Sequence, residues 1–439
     1  MFVLALRSVR QRPGRLAATL LAAFFGATVV IMFNSLHDTA RQPGTDPAGT
    51  ESLTLTAGVV GGYGTLLVLL GIASTLTVTV RQRAEEMALL RRTGATPGQI
   101  TRMVVGEALL VAAAGALLAI APALLAGRAL VARFHETGQV AAGVDHVLGP
   151  IGLGAGLGIT LLAAAGAAWL AVRRALRARS RRPVTRTIAG ALALVAGAGG
   201  VGATFAMEPT EPALMAAPAF GSILIAAGLA AFSAPLLRAL STMSGGALRL
   251  LLGAGGHLAV LNLRRRADEL TGVLMPLILF VGMATATLCI QAVESDAIAA
   301  SGLTRSTEDK NLETLNVVVV GIVAVFCCLL LINSLASATA FRRREFGQQR
   351  LAGATRGQVL RMVGGEALLL VLTGILAGTP AALAGVLAFT AVRTGTVRPA
   401  ATPGVWLGVV TVAALAAGLA GLLTAIRTLR TPATVAVAA

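Results

Sequence analysis

Long apolar runs alternate with short polar intervals along the whole chain. Ten runs are long enough to be spans: roughly 16–36, 56–80, 103–127, 148–172, 187–206, 213–235, 270–290, 314–340, 362–389 and 404–426. A helix of about 20 apolar residues crosses a hydrocarbon core roughly 30 Å thick. The pattern therefore predicts an all-α polytopic membrane protein. Between the second and third runs, and again between the eighth and ninth, it breaks in the same way. Residues 86–109 and 345–368, offset by 259, are identical at 14 of 24 positions without a gap. Such self-similarity marks two homologous halves. The predicted layout is two parallel four-helix repeats, 1–180 with spans one to four and 256–439 with spans seven to ten. Between them, 181–255 is a connector with spans five and six. It has no counterpart in the repeat and restores the topology, so that both halves enter the membrane in the same sense.

The repeated segment is polar. Glu86 and Arg91, like Glu345 and Arg350, flank one to two helical turns that end at Gly94-Ala95-Thr96 or Gly353-Ala354-Thr355. Gly94 and Gly353 suit the left-handed cap that terminates a helix. The residues after them begin the return to the membrane. The expectation is a short helix parallel to the membrane, gripped at both ends by spans. A solvated loop would not need 14 identities after duplication, so a docking role is preferred. Leu89-Leu90 becomes Gln348-Gln349 in the second copy, so the two surfaces need not be equivalent. Glu107 and Glu366 are matched by the repeat and lie about one turn into spans three and nine. Intramembrane carboxylates are functional candidates; the other reading is a structural pairing with Arg102 or Arg361, five residues earlier.

Composition narrows the class further. The chain is 56% hydrophobic and 13% charged, with a mean hydropathy of +0.82, against about 25% charged in soluble domains. The net charge of +17 would suit nucleic acid, but its placement does not. With a cytoplasmic N-terminus, inside segments hold 29 of the 36 basic residues, and outside loops hold 12 of the 19 acidic ones. That is the positive-inside bias. The run Arg173–Pro183 reads as an anionic-lipid anchor. Residues 1–15, with Arg7, Arg10, Arg12 and Arg15, read as an amphipathic helix on the inner leaflet. A similar segment, 259–266, precedes the seventh span. The first span reads as uncleaved.

Other side chains mainly exclude. Lys310 is the only lysine and lies in no Gly-x-x-x-x-Gly-Lys pattern, so this chain cannot be a P-loop ATPase. Cys289, Cys327 and Cys328 sit in apolar runs and read as small buried hydrophobes. No Cys-x-x-Cys pair or metal site is predicted. His135 and His146 read as solvated loop histidines, with ligand or pH-sensor roles as the alternative. The outside segment 37–55 is expected to be an irregular linker, and both it and the loop 291–313 are too short for a large outer domain. Gly152/Gly156 and Gly154/Gly158 permit close helix packing, and Pro122, Pro276 and Pro380 fall inside spans. No constellation for covalent catalysis is present, so no enzyme activity is expected.

The pattern Arg-x-x-Glu-x-x-x-x-Arg-x-x-Gly-Ala-Thr-x-x-Gln-(Ile/Val)-x-x-x-x-x-x-Glu runs from Arg83 to Glu107 and from Arg342 to Glu366. It resembles the FtsX/MacB-like ABC transporter permease domain, over about 56–175 and 314–430. The ten-span layout is similar to that of the bacitracin-export-type permeases. The resemblance implies that each repeated segment is a coupling helix seated in a cleft of a separate cytoplasmic ATPase dimer. Glu86, Arg91 and Gly94 would dock on one ATPase subunit, and Glu345, Arg350 and Gly353 on the other. ATP-Mg would be bound by that partner, with no cofactor in this chain. A bacterial cell membrane, with both termini cytoplasmic, is implied. The expected role is to export or extract an amphiphile such as a lipid, lipopeptide or antibiotic. The rival is an ATPase-driven mechanical scaffold that regulates an outer-surface partner without transport. A secondary transporter is disfavoured by spans almost free of ionisable residues.

Overall fold

Proline opens most of the long helices. Its ring presets φ near the helical value, and its missing N–H is one that the first turn leaves unbonded anyway. In the computed structural model, which describes residues 13–136, 138, 140–176, 183–209, 212–268, 270–300, 321, 342–396, 402–432 and 434, five helices begin at such a residue. In chain order the helices are α1 (Pro13–Ala40), α2 (Pro47–Gln82), α3 (Ala84–Arg92), α4 (Pro97–Glu136), α5 (Pro150–Leu176), α6 (Pro183–Ala203) and α7 (Ala216–Ala231). They continue as α8 (Ser233–Met243), α9 (Gly245–Leu252), α10 (Ala254–Arg266), α11 (Thr271–Ala300), α12 (Arg343–Leu351), α13 (Arg356–Thr394) and α14 (Thr402–Leu429). Two 3-10 turns, Thr204–Ala206 and Pro212–Met215, join α6 to α7. No strand occurs among the described residues.

Seven helices are long and apolar enough to cross a membrane, or eight if the bent pair α7–α8 is one span. The expected span 56–80 lies within α2. Apart from residue 321, the expected span 314–340 lies outside the described residues, as do Cys327, Cys328, Lys310, residues 1–12 and most of the basic run after Arg173. Seven or eight is the count among the described residues alone.

The described helices fall into two compact units, α1 to α5 and α6 to α14. In the first, α1 is the central element, contacting α2, α4 and α5. Lipid tails are as apolar as leucine, so helices in a membrane associate through close packing of small residues. A Cβ on Gly152 would stand 3.0 Å from Ser35, and one on Gly156 would stand 2.1 Å from Ile31 Cγ1. These two glycines let α5 lie against α1. Gly154 and Gly158 have nothing within 4 Å, so only one of the two overlapping pairs is a packing motif. In the second unit α11 is the most buried candidate span, at 78%, and it packs on α13, α7 and α14. Gly378 meets Val281, and Gly282 meets Ala226.

The connections opposite the polar helices differ from expectation. The stretch 37–55 is mostly helical: α1 runs to Ala40, α2 starts at Pro47, and only 41–46 is irregular, turning through Gly44 at φ 98°. Likewise α11 continues to Ala300 into the stretch expected to be a loop. Hydropathy marks where a helix is apolar, whereas backbone hydrogen bonding continues into polar sequence. Pro122, Pro276 and Pro380 lie inside α4, α11 and α13, each of which continues as one helix.

Candidate functional site: two matched polar joints

The Gly-Ala-Thr-x-x-Gln motif encodes a stop and a restart. In the first copy the Gly94 N–H bonds Arg91 O and the Ala95 N–H bonds Leu90 O, the paired pattern that closes a helix through a left-handed residue. Gly94 has φ 94°, and Gly353, with the equivalent bonds to Arg350 O and Gln349 O, has φ 98°. The expected glycine caps are present. Two residues later a capping box begins the next helix. The Gln99 N–H bonds Thr96 Oγ1 at 3.3 Å, and the Thr96 N–H bonds Gln99 Oε1 at 2.9 Å. Thr355 and Gln358 repeat this at 3.2 and 2.9 Å. Hence α3 and α12, nine residues each, are separate helices set at the feet of α4 and α13.

An arginine just before each short helix ties it to the long helix that follows. In the first unit the Arg83 guanidinium donates to Glu107, and its Nε lies 3.3 Å from Glu86 Oε2. In the second, Arg342 donates to both oxygens of Glu366, with Nη2–Oε1 at 3.0 Å, and to both oxygens of Glu345 at 3.0 and 3.2 Å. Glu107 is 4% exposed and Glu366 7%. The shallow carboxylates are thus ion-paired, but with Arg83 and Arg342, not with Arg102 or Arg361. Arg102 lies only five residues from Glu107, so it leaves α4 on a different side, whereas Arg83 reaches the carboxylate from the preceding turn. Glu86 and Glu345 are partners of the same arginines, although both keep part of their surface in solvent.

Electrostatics holds the second joint charged. Burial opposes ionisation of both Arg342 and Glu345. Glu366 and Glu345 outweigh it for Arg342, whose pKa is raised, and Arg342 and Arg266 outweigh it for Glu345, whose carboxyl is held below its ordinary value. The Arg83 pKa is likewise raised against burial, chiefly by Glu107. Asn262 and Arg266 of α10 complete the second joint: Asn262 Nδ2 donates to Glu366 Oε1 at 3.1 Å, and Arg266 Nη1 lies 3.4 Å from Glu345 Oε2. The Arg342 guanidinium also lies over the Phe346 ring at 4.9 Å, a cation–π contact.

Arg350 donates to Leu429 O and Thr431 O, at 3.3 and 2.8 Å, so it ties α12 to the end of α14. Arg91 is exposed. Leu89 and Leu90 are also exposed, at 59% and 37%. No group of His, Cys, Asp and Glu able to hold a metal ion is found among the described residues. Arg83, Arg342, Asn262 and Arg266 were missed as functional residues. The signal for the two arginines was available, since both keep the 259 offset that singled out the glutamates.

The histidines depart from expectation. His135 Nε2 meets Val144 O at 3.0 Å, and His146 is partly buried, with Nε2 2.8 Å from Ser35 Oγ. The loop carrying His146 is drawn onto α1 because Asp38 accepts from the Gly149, Ile151 and Gly152 N–H groups, capping α5 from across the bundle. Neither ring is a freely solvated loop side chain.

These observations define a polytopic helical membrane protein that carries one helix–turn–helix joint twice. The sequence model for the FtsX-like permease C-terminal domain matches residues 58–179 and again 317–433. Together these segments take in more than half of the chain, which belongs to the FtsX-like permease family. No curated protein matches it.

Proposed function

We propose that this chain is the membrane subunit of an ABC transporter in a bacterial cell membrane, with α3 and α12 on the cytoplasmic side. A separate ATPase dimer drives it, and it exports or extracts an amphiphilic substrate. The observation that carries this reading is the pair of joints. Each short polar helix is partly exposed and is bonded at its base, through a buried arginine–glutamate pair, to the first turns of a long apolar helix. A force applied to α3 or α12 is thereby delivered to α4 or α13 and not dissipated in a loop. Seven or more apolar helices and the family membership support the permease role. Leu89, Leu90 and Arg91 on α3, and Gln348 and Leu351 on α12, are the exposed groups that would meet the partner. Arg350, occupied by α14, has a positioning role instead.

The test is co-purification with the ATPase encoded nearest the gene, followed by coupled hydrolysis in reconstituted vesicles. Glu86→Arg with Glu345→Arg is expected to abolish stimulation of the ATPase. An ATPase that fails to associate, or coupling that survives the double variant, overturns the reading. Substrate movement in the same vesicles separates transport from a purely mechanical action on an outer-surface partner.

A further inference from the structure

Between the apolar helices of the second unit, α8 to α10 form a bent connector with an apolar surface of its own. The chain turns by 69° between α7 and α8. Ala234, Leu237 and Ser241 of α8 are buried, as are Gly255, Ala259, Val260 and Leu263 of α10. On α9 only Leu248 is buried. Leu250 and Leu251 are 89% and 79% exposed, and Met243 is 83% exposed. Large side chains so bare on a short connector are not a core.

The packing fixes the level at which they lie. A Cβ on Gly255 would stand 3.3 Å from Gln358 O and Met362 N, and one on Gly365 would stand 2.9 Å from Leu252 Cδ1 and 3.3 Å from Ala259 Cβ. Leu252 therefore sits beside the residue just before Glu366. Beyond Glu366, α13 carries no ionisable side chain until Arg393. So α9 lies where α13 passes from polar to apolar, the level of a membrane surface. The charge is one-sided there. No acidic residue occurs from 233 to 266, while Arg238, Arg249, Arg264, Arg265 and Arg266 all do. Arg238 and Arg266 are occupied by Asp268 and Glu345. Arg249, Arg264 and Arg265 are exposed and have no acidic partner among the described residues.

We infer that α9 and α10 form a seat for anionic lipid, with Leu250 and Leu251 entering the acyl region while Arg249, Arg264 and Arg265 hold headgroup phosphates. Exposed leucines on α9, with Arg249 beside them and Arg264 and Arg265 on the adjoining α10, give apolar insertion next to basic groups, a combination that lies in the interface and whose grip rises with leaflet charge. The same α10 carries Asn262 and Arg266 into the second joint. Lipid at this seat thus bears on α12. Assigning the seat to the inner leaflet rests on the orientation proposed above; the seat itself does not.

The full-length chain carrying Leu251→Trp, reconstituted in vesicles of phosphatidylcholine and phosphatidylglycerol at 3:1, tests this without any ATPase. Emission of the unsubstituted protein is subtracted. The added emission should be blue-shifted and quenched by bromolipid. Quenching should be about twofold stronger when the bromine is on phosphatidylglycerol than on the same fraction of phosphatidylcholine. Combining Arg249→Gln, Arg264→Gln and Arg265→Gln should erase that preference and leave the phosphatidylcholine quenching. Emission at the wavelength of tryptophan in water, unquenched by either lipid, overturns the seat. Equal quenching by both lipids in the protein with its arginines overturns the headgroup assignment. An ATPase that fails to associate with the protein, with quenching intact, would sink the transporter reading and leave this one standing.

Discussion

Set side by side, the two joints share a skeleton and differ in what surrounds it. Both have the arginine, the two glutamates, the left-handed glycine and the capping box. In the first unit the side chain of Arg83 is 16% exposed, and the short helix shows Leu89 and Leu90 to solvent. In the second the Arg342 side chain is 8% exposed, a phenylalanine lies beneath it, and α10 adds two more contacts. Gln348 and Gln349 stand where the leucines were. The shared part is what holds a helix–turn–helix at the foot of a long helix. The divergent part is the exposed face of the short helix, the face that meets the ATPase on the reading proposed above. Duplication has kept the turn and its ion pair and let the exposed face of the short helix drift.

The deepest cut into this comparison is to strand a buried charge. Glu366→Ala leaves Arg342 without its main partner, and breaking such a pair costs about 3–5 kcal/mol. A large fall in the thermal midpoint of the purified protein is expected, with Glu107→Ala causing a smaller one because Arg83 is closer to solvent. Equal falls would show that the difference in exposure between Arg83 and Arg342 carries no weight. Next come the faces. Leu89→Gln with Leu90→Gln should weaken ATPase binding roughly tenfold, and Gln348→Leu with Gln349→Leu should strengthen it similarly, as expected for burying about one leucine side chain. Titrating detergent-solubilised variants with the ATPase measures both. Gly94→Ala and Gly353→Ala should each cost about 1–2 kcal/mol, since the left-handed backbone penalises any Cβ. No atom lies within 4 Å of either Cβ position. Matching losses in urea or thermal melts would confirm that the turn is common to both units.

The smallest effect lies at the opposite ends. In the first unit, burial pushes His146 below its ordinary pKa, Arg128 adds to this, and Asp38 works against it. An unfolded histidine takes up its proton near pH 6.5. The folded loop resists that proton, so its stability is full above about 6.5, falls as the pH drops below it, and levels off beneath the folded pKa. Hydrogen-exchange protection of residues 140–149, corrected for the intrinsic pH dependence of amide exchange, should fall as the pH drops from 7.5 to 5.5, and His146→Asn should remove the fall. The second unit closes instead with Arg393, bidentate to Glu294 at 2.8 Å and bonded to Pro209 O at 2.9 Å. That contact holds no histidine and should not respond over the same range.

Much of this arrangement is written in the chain. The helices are legible because apolar runs are long, and the polar turn because Gly94 and Gly353 recur in register. What escaped notice is non-local. Arg83 and Glu107 are 24 residues apart, and sequence alone favoured the nearer Arg102. Asn262 reaches Glu366 across 104 positions, with no repeat to flag it. Loop lengths were overestimated for another reason: hydropathy fades near Leu36 and near Ile290, but the hydrogen-bond ladder does not. Thr39 Oγ1, for example, still bonds Ser35 O at 3.0 Å.

The unbroken length of α4 and α13 has a geometrical consequence. At 40 and 39 residues, with 1.5 Å of rise per residue, each is a rod about 60 Å long. A tilt of about 5° about one tip sweeps the other through roughly 5 Å, close to one helical pitch. Small rotations at the foot become sideways displacements of several ångströms at the head.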